Sequence, residues 1–405
     1  MTSFSGIQSS ATLQVVYGAL GRSVRTASID PMTGALAPLG AIENLPGDAH
    51  YGAMHPTRKY LYLSVSDRAQ ANLIYGFGVE GQTGLLTRLG EPFMLPPGLS
   101  RAVHITVDGT GRYLLMAHNV TESVAVLALQ HNGRLGSLVS QPAMPKLGFL
   151  VHQIRIDPAN RWVFVPVRGN DAQPAAQPPV PEQTGRLHLF SFDDGVLRQQ
   201  QTIEYESGIG PRHLDFHPTE PFLYLLAERG NVLITYRRDG ARLTELYRTT
   251  TLKDPEFKFP AQRAGAIHLH PNGKWLYVTN RNVVPCPASA PCPDRQATPF
   301  VAGENNVALF TIDAFTGRPT LVDHTDSRGF EPRTFTFDAD ANFVITANMM
   351  NIARTGTGGK IVDVKPNMSV FRIGADGQLQ FVRSDDQAGG GQLWWVGAYR
   401  AGDGR

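Results

Sequence analysis

The side chains able to do chemistry recur at one place in a repeated unit. Five residues before a polar turn residue stand His50, Val103, His152, Arg212, Gly265 and Arg333. The strand after that turn ends at Ser66, Asn119, Arg168, Glu228, Arg281 and Met349, with His104, His118, Gln153, His213 and Asn348 alongside. Imidazoles exchange protons near neutral pH. Guanidinium forks hold carboxylates, phosphates and developing oxyanions. A carboxylate set among arginines is a weak base but a good organiser of them. Singly, each of these residues reads as a solvated or ion-paired side chain. As a set, a ring of His, Arg and Glu suits acid–base chemistry on a small acidic molecule.

The elements that must position this ring are visible as a repeat. One pattern recurs as AMHPTRKYLYLSV, ITVDGTGRYLLMAHN, IRIDPANRWVFVPVR, LDFHPTEPFLYLLAE, LHLHPNGKWLYVTNR and FTFDADANFVITANM. Each is a short alternating strand, a polar turn and an aromatic-rich strand, the signature of a hairpin. A second hairpin follows each copy, as in VAVLALQHNGRLGSL, with glycine supplying the turn. A unit is therefore four antiparallel strands, A to D, repeating every fifty residues or so, which is propeller-like. Six units are complete. Residues 13–41 provide B, C and D of a seventh, and 391–400 provide its A strand. The expected fold is all-β: a single-domain, seven-bladed β-propeller closed by pairing N-terminal strands with a C-terminal one. Closure removes two exposed sheet edges. The dipeptides of WD40 repeats and the paired glycines of kelch repeats are absent.

Strands A and B form a hairpin, so the start of A and the end of B share one face and should converge at the mouth of the central channel. Three long B-to-C connections leave from that face, after Arg168, after Arg281 and after Met349. Long loops in compact folds often cover binding sites. The turn residues His55, Asp108, Asp157, His217, His270 and Asp338 are different. Five of these six precede Pro or Gly, so they read as structural turn caps rather than as a metal cluster.

Composition excludes several classes. Lys and Arg total 37 against 35 Asp and Glu, giving no global pull toward nucleic acid or anionic membrane. No apolar run is long enough to span a bilayer. The first residues lack a basic segment followed by a long apolar core, so a cytoplasmic protein is expected. The only cysteines, Cys286 and Cys292, lie in PCPASAPCP and read as two thiols in a proline-rich loop, with a local disulfide as the alternative. Phosphate-loop, dinucleotide and metal-ligand spacings are absent, so no cofactor is expected. Nothing in the sequence indicates an oligomer, and a closed ring is compatible with a monomer.

The stretch GIGPRHLDFHPTEPFLYLLAE (208–228), with HLHPNGKWLYVTNR and EPRTFTFDADANFVITAN, resembles the seven-bladed propeller lactonases. That family includes bacterial 6-phosphogluconolactonases and fungal carboxy-cis,cis-muconate cyclases. The resemblance covers essentially the whole chain. It implies a catalytic group of His152, Arg212, Glu228 and Arg281, all already in the ring, with Arg333 of the EPR motif as a further candidate. Two departures stand out: the long cysteine-bearing loop after Arg281, and the final GGGQLWW, which matches only loosely.

The implied function is hydrolysis of a small acidic sugar-type lactone. His152 is expected to serve as acid and base, with Glu228 orienting the arginines. Arg212 and Arg281 would hold the substrate's acid group and the oxyanion. His50, His104, Arg168, His213, Arg333 and Asn348 are expected to bind substrate. A lactonising cycloisomerase acting on a muconate-type diacid would use the same groups. A non-catalytic binding platform is the alternative of a different class, because a fold alone never establishes catalysis.

Overall fold

The computed structural model describes residues 13–67, 71–256, 261–282, 303–355 and 361–402. Cys286 and Cys292, with most of the loop after Arg281, lie outside these residues.

Seven antiparallel sheets form one closed ring. Blade one holds β1 (Gln14–Leu20), β2 (Ser23–Ile29) and β3 (Leu36–Ile42). Blade two holds β4 (Asp48–Met54), β5 (Tyr60–Asp67), β6 (Ala71–Val79), β7 (Leu86–Arg88) and the short β8 (Phe93–Met94). Blade three holds β9 (Ala102–Val107), β10 (Tyr113–His118), β11 (Ser123–Leu129) and β12 (Leu135–Leu138). Blade four holds β13 (Arg155–Ile156), β14 (Trp162–Val167), β15 (Arg186–Asp193) and β16 (Val196–Glu204). Blade five holds β17 (Pro211–Phe216), β18 (Phe222–Ala227), β19 (Val232–Asp239) and β20 (Arg242–Thr250). Blade six holds β21 (Gln262–Leu269), β22 (Trp275–Asn282), β23 (Asn306–Ile312) and β24 (Pro319–Asp326). Blade seven holds β25 (Pro332–Phe337) and β26 (Phe343–Asn348), the side hairpin β27 (Ile352–Thr355) and β28 (Ile361–Val364), then β29 (Asn367–Ile373) and β30 (Leu379–Asp386). The last strand, β31 (Leu393–Arg400), returns to blade one and pairs with β1, placing Gln14 opposite Arg400. The ring closes as the sequence implied.

Burial follows position in the blade. The B strand β18, FLYLLA, is buried at every residue because neighbouring blades cover both of its faces. The outer strand β16, VLRQQQTIE, is mostly polar and exposed. Apolar cores fill the wedges between blades, such as Phe222, Tyr224 and Leu226 against Leu276, Val278 and Phe310. Polar ties cross the same wedges. Tyr62 donates to the Gly133 carbonyl (2.9 Å), and Tyr277 to that of Gly377 (2.7 Å). Gly133 has φ +78°, and a Cβ there would sit 2.4 Å from the Tyr60 ring, so the turn requires glycine.

The turn residues are structural, as read from sequence. His55, His217 and His270 donate through Nε2 to the carbonyls of Gly111, Gly273 and Ala341 in the next blade. Asp108, Asp157 and Asp338 accept backbone N–H bonds within their own turns.

Three local features differ from the sequence reading. The A strand of blade four shrinks to Arg155–Ile156. His152 donates its N–H to the Pro166 carbonyl (3.0 Å), but proline has no N–H to return the bond. The connection after Met349 contains a β-hairpin, β27 with β28, rather than a plain loop. The connection after Arg168 is pinned by bridges between Asn170 and Gln183 and between Gln173 and Val180.

Ring closure generates a stability prediction. Leu393 of β31 is fully buried in the wedge shared by blades one and seven. Leu393→Ala should cost about 2–5 kcal/mol in urea unfolding. Val322→Ala, at a 44 % exposed position, should change stability by no more than about 0.5 kcal/mol.

Candidate active site

The polar ring is built by one backbone device repeated in the innermost strands. Each of these strands carries an extra residue opposite its B strand. The register slips at His50 between Ala49 and Tyr51, at Val103 before His104, at Arg212 between Pro211 and His213, and at Arg333 between Pro332 and Thr334. In blade six the slip spans Gly265 and Ala266. In blade four three residues, His152 to Ile154, oppose two. An extra residue bends the strand and re-aims its side chain. The slipped positions are those singled out from the repeat. The seventh slip falls between Leu393 and Trp395 of β31, which adds Trp394 to the ring.

These side chains line a cleft at the channel mouth: His50, Tyr51, Arg101, Val103, His152, Arg212, His213, Arg333, Thr334 and Trp394. Behind the lining lies a buried charge cluster centred on Glu228. The backbone holds Glu228 from two sides, its N–H donating to Gly210 and its carbonyl accepting from Ala264 of the next blade. Its Oε1 accepts from Arg168 Nε at 2.8 Å. Its Oε2 lies 2.9 Å from Arg212 Nε and 3.1 Å from Arg281 Nη2, with His152 Nε2 at 3.8 Å. The Arg212 Nε contact is an ion pair by distance without hydrogen-bond alignment. Arg212, 1 % exposed, donates Nη1 to the Gly265 carbonyl at 2.5 Å. Blade six must carry glycine there, since a Cβ would meet Thr279 Oγ1 at 2.3 Å and the Pro332 carbonyl at 2.8 Å.

Electrostatics divides the roles. Burial alone would push the Glu228 carboxyl up, but Arg281, Arg168 and Arg212 hold it well below the usual carboxylate range. Glu228 is therefore a fixed anion that orients its neighbours. Burial, and then the Arg212 guanidinium, pulls the His152 imidazole well below its ordinary value, against the opposing pull of Glu228. His152 is neutral at pH 7. Burial and Arg212 do the same to His213, which accepts from Arg212 Nη1 at its Nδ1 (3.1 Å) and so keeps its proton on Nε2.

The remaining sequence candidates separate cleanly. His50 lines the cleft edge-on to Trp394, with ring centroids 4.9 Å apart. Arg168 and Arg281 stand behind the lining as partners of Glu228 rather than facing the cleft, so their role is positioning. His104 also leaves the cleft lining. It packs on Tyr51, ring centroids 4.2 Å apart, and faces a second chamber of about 200 Å³ further down the channel. Asn348 does not join the site: it is fully buried, and its amide donates to the Ser327 carbonyl and Asn367 Oδ1, both at 2.8 Å. His118, bonded to the Ser100 carbonyl, and Gln153, bonded to the Leu214 N–H, are likewise structural. Ser66, Asn119 and Met349 do not line the cleft.

Three site residues escaped the sequence reading. Glu331, buried and in the left-handed region at φ 53°, shares its Oε1 between Arg281 Nη1 (2.5 Å) and Arg333 Nη1 (3.3 Å). It lies outside the repeat position, although the EPR motif contains it. Arg101 precedes β9 and carries no repeat signal. Trp394 was detectable, because it is the ring position of the closing strand. Four guanidiniums (Arg168, Arg212, Arg281, Arg333) thus surround two carboxylates, Glu228 and Glu331. That excess favours an anionic ligand. Among the described residues no cluster of His, Cys, Asp and Glu is placed to hold a metal.

Fold and cleft together define a class: a closed seven-bladed propeller with a basic, histidine-bearing pocket at one end of its channel. Residues 15–353 match the family described as Lactonase, 7-bladed beta-propeller, and the chain belongs to that family. It is 25% identical over 311 residues to the 6-phosphogluconolactonase of Bacillus subtilis (strain 168), covering 75% of this chain and 77% of that one. The 6-phosphogluconolactonase of Erwinia tasmaniensis is 24% identical over 368 residues, covering 90% and 92%. Among solved structures, the Pseudomonas aeruginosa periplasmic gluconolactonase superposes with a TM-score of 0.69 at 18% identity, covering 96% of this chain and 100% of that one. A Lactobacillus plantarum protein gives 0.70 at 19%, covering 96% and 99%. At these identities the structural likeness speaks for the fold.

Removing the central anion tests the cluster. Glu228→Gln leaves buried guanidiniums without their counter-charge and should cost about 3–5 kcal/mol at pH 7. The Glu228 carboxyl is held low in the folded state, so its contribution is full above the unfolded carboxyl pKa and lost as pH falls. The gap between wild type and variant in denaturant titrations should therefore narrow below about pH 4.

Proposed function

We propose that the protein hydrolyses the ester bond of a small acidic sugar-type lactone in this cleft. The observation that carries the reading is a neutral His152 beside Arg212, both oriented by an ionised Glu228. Membership of a lactonase family and the names of the curated relatives support it.

A lactone is a cyclic ester, and its hydrolysis needs an activated water and a stabilised oxyanion. The imidazole of His152, with Nε2 3.8 Å from Glu228 Oε2, is the candidate base. A water held against this imidazole gives it a proton as the water oxygen attacks the lactone carbonyl. The carbonyl oxygen becomes anionic against the Arg212 guanidinium. When the tetrahedral intermediate collapses, the ring C–O bond breaks and the imidazolium returns its proton to the departing ring oxygen. The product is an open hydroxy acid, whose carboxyl proton passes to solvent. Glu228 stabilises the transient imidazolium without changing protonation state, the orienting role familiar from catalytic triads.

His152→Ala should lower kcat about 10²–10⁴-fold, the usual range for a lost acid–base group. Arg212→Ala should lower it about 10²–10³-fold, by analogy with oxyanion donors. Acid release from aldonolactones, their phosphates and muconolactones is the measurement, and unchanged rates in both variants would refute the assignment. Loss of muconate absorbance without acid release would identify a cycloisomerase instead. No turnover on any of these would point to a binding platform.

The pH profile gives an independent check. Neutral His152 is the active form and is held low, so the acid limb of kcat/KM should lie below pH 6.5. Arg333 contributes to that lowering, so Arg333→Ala should move the limb to higher pH. A wild-type limb at or above pH 6.5 would count against His152 as the base.

A further inference from the structure

Glu331 stands where any residue but glycine is costly to place. Its backbone is left-handed, at φ 53°, and the residue is buried. A bulky residue keeps that conformation only where its surroundings over-determine it, and such positions cluster at functional sites. The Glu331 N–H donates to Asn305 Oδ1 at 2.9 Å, and its carbonyl accepts from the Met349 N–H at 3.0 Å. Asn305 Oδ1 also accepts the N–H of Asn282, the residue after Arg281, at 3.2 Å. One amide oxygen thus ties the loop before β25 to the end of β22, across the seam of blades six and seven. The carboxylate so placed continues the charge cluster in alternating sign. Arg281 lies between Glu228 Oε2 (3.1 Å from Nη2) and Glu331 Oε1 (2.5 Å from Nη1), and Arg333 Nη1 reaches the same Oε1 at 3.3 Å. Arg281 and Glu331 are buried, whereas Arg333 lines the cleft, its guanidinium 5.0 Å from the Trp394 ring centroid.

We propose that Glu331 is a positioning residue for this cleft: anchored by Asn305, it fixes the Arg333 guanidinium in the cleft wall and links it through Arg281 to Glu228. The inference rests on the lactonase reading only in taking the bound lactone to meet Arg333. A carboxylate that merely compensated buried charge would need no fixed backbone, because charge acts over a distance. A carboxylate that sets where a guanidinium edge lies must itself be held, and the left-handed, doubly bonded backbone of Glu331 holds it. An arginine head on a flexible stem is useful for recognition only when its rotamer freedom is already restricted. The two buried carboxylates then divide the work. Glu228 serves the arc with His152 and Arg212, and Glu331 serves Arg333 on the other side of the cleft.

The test is a double-mutant cycle on the lactone that wild type turns over in the acid-release screen. Glu331→Gln keeps the shape of the side chain and removes its charge. It should raise KM about 10-fold and lower kcat less, because Arg333 binds substrate and takes no part in water attack. Arg333→Ala should raise KM as well, and adding Glu331→Gln to it should cause little further loss, as expected of residues that act as a unit. Asn305→Ala removes the anchor without altering any charge. It should raise KM in the same way and lose its effect in the Arg333→Ala background, so it carries the test if Glu331→Gln does not fold. Losses that multiply in the double variants would overturn the proposal. So would an unchanged KM in variants that merely unfold at lower urea concentration, the result of a purely structural role. A ligand-free arm follows the Arg333 Nε–H signal by nitrogen NMR relaxation: it should be ordered in wild type and mobile in Glu331→Gln or Asn305→Ala. If wild type hydrolyses no lactone, the lactonase reading fails by itself and this arm decides the positioning role, with equal order in wild type and variants overturning it.

Discussion

One extra residue in each innermost strand is the constraint on which the site depends. Side chains on a strand alternate between faces, so an uninterrupted A strand would commit its first residues to the wedges or the channel wall. The slip breaks that alternation once, at the same level in every blade, and turns one side chain toward the mouth. Groups widely spaced along the chain, such as His50, Arg212 and Arg333, thereby meet in one cleft. Blade six shows the constraint from the other side. Its slipped residue is Gly265, whose bare carbonyl receives Arg212.

Concentrating guanidiniums in this way is costly unless an anion compensates them inside the protein. Glu228 does so for Arg168, Arg212 and Arg281, and Glu331 extends the cluster to Arg333. Burial, and after it the Arg212 guanidinium, keeps His152 and His213 neutral, so the basic cleft reinforces what burial begins. The connection after Arg168 is tied to the same end of the ring, because its Asp171 and Glu182 pair with Arg229, the residue after Glu228.

Below the mouth, His152 meets His213 at 5.3 Å and His213 meets His104 at 5.7 Å, ring centroid to centroid. This row of buried imidazoles separates the cleft from the deeper chamber, where Arg155 pairs with Asp215.

Sequence by itself determined the architecture: the four-strand repeat, the split closing blade and the turn residues all follow from local patterns of alternation and turn chemistry that each copy restates. It also located the ring positions, because copies of one unit can be compared with each other inside a single chain. Tertiary structure decided which ring members act together. Asn348 occupied a candidate position but spends its amide on Ser327 and Asn367, while Glu331 and Arg101 stand outside the repeat register and enter the site only through contacts between blades. Those contacts, and the burial and charge balance that set the protonation of His152, depend on distances across the ring, and a one-dimensional pattern carries no measure of them.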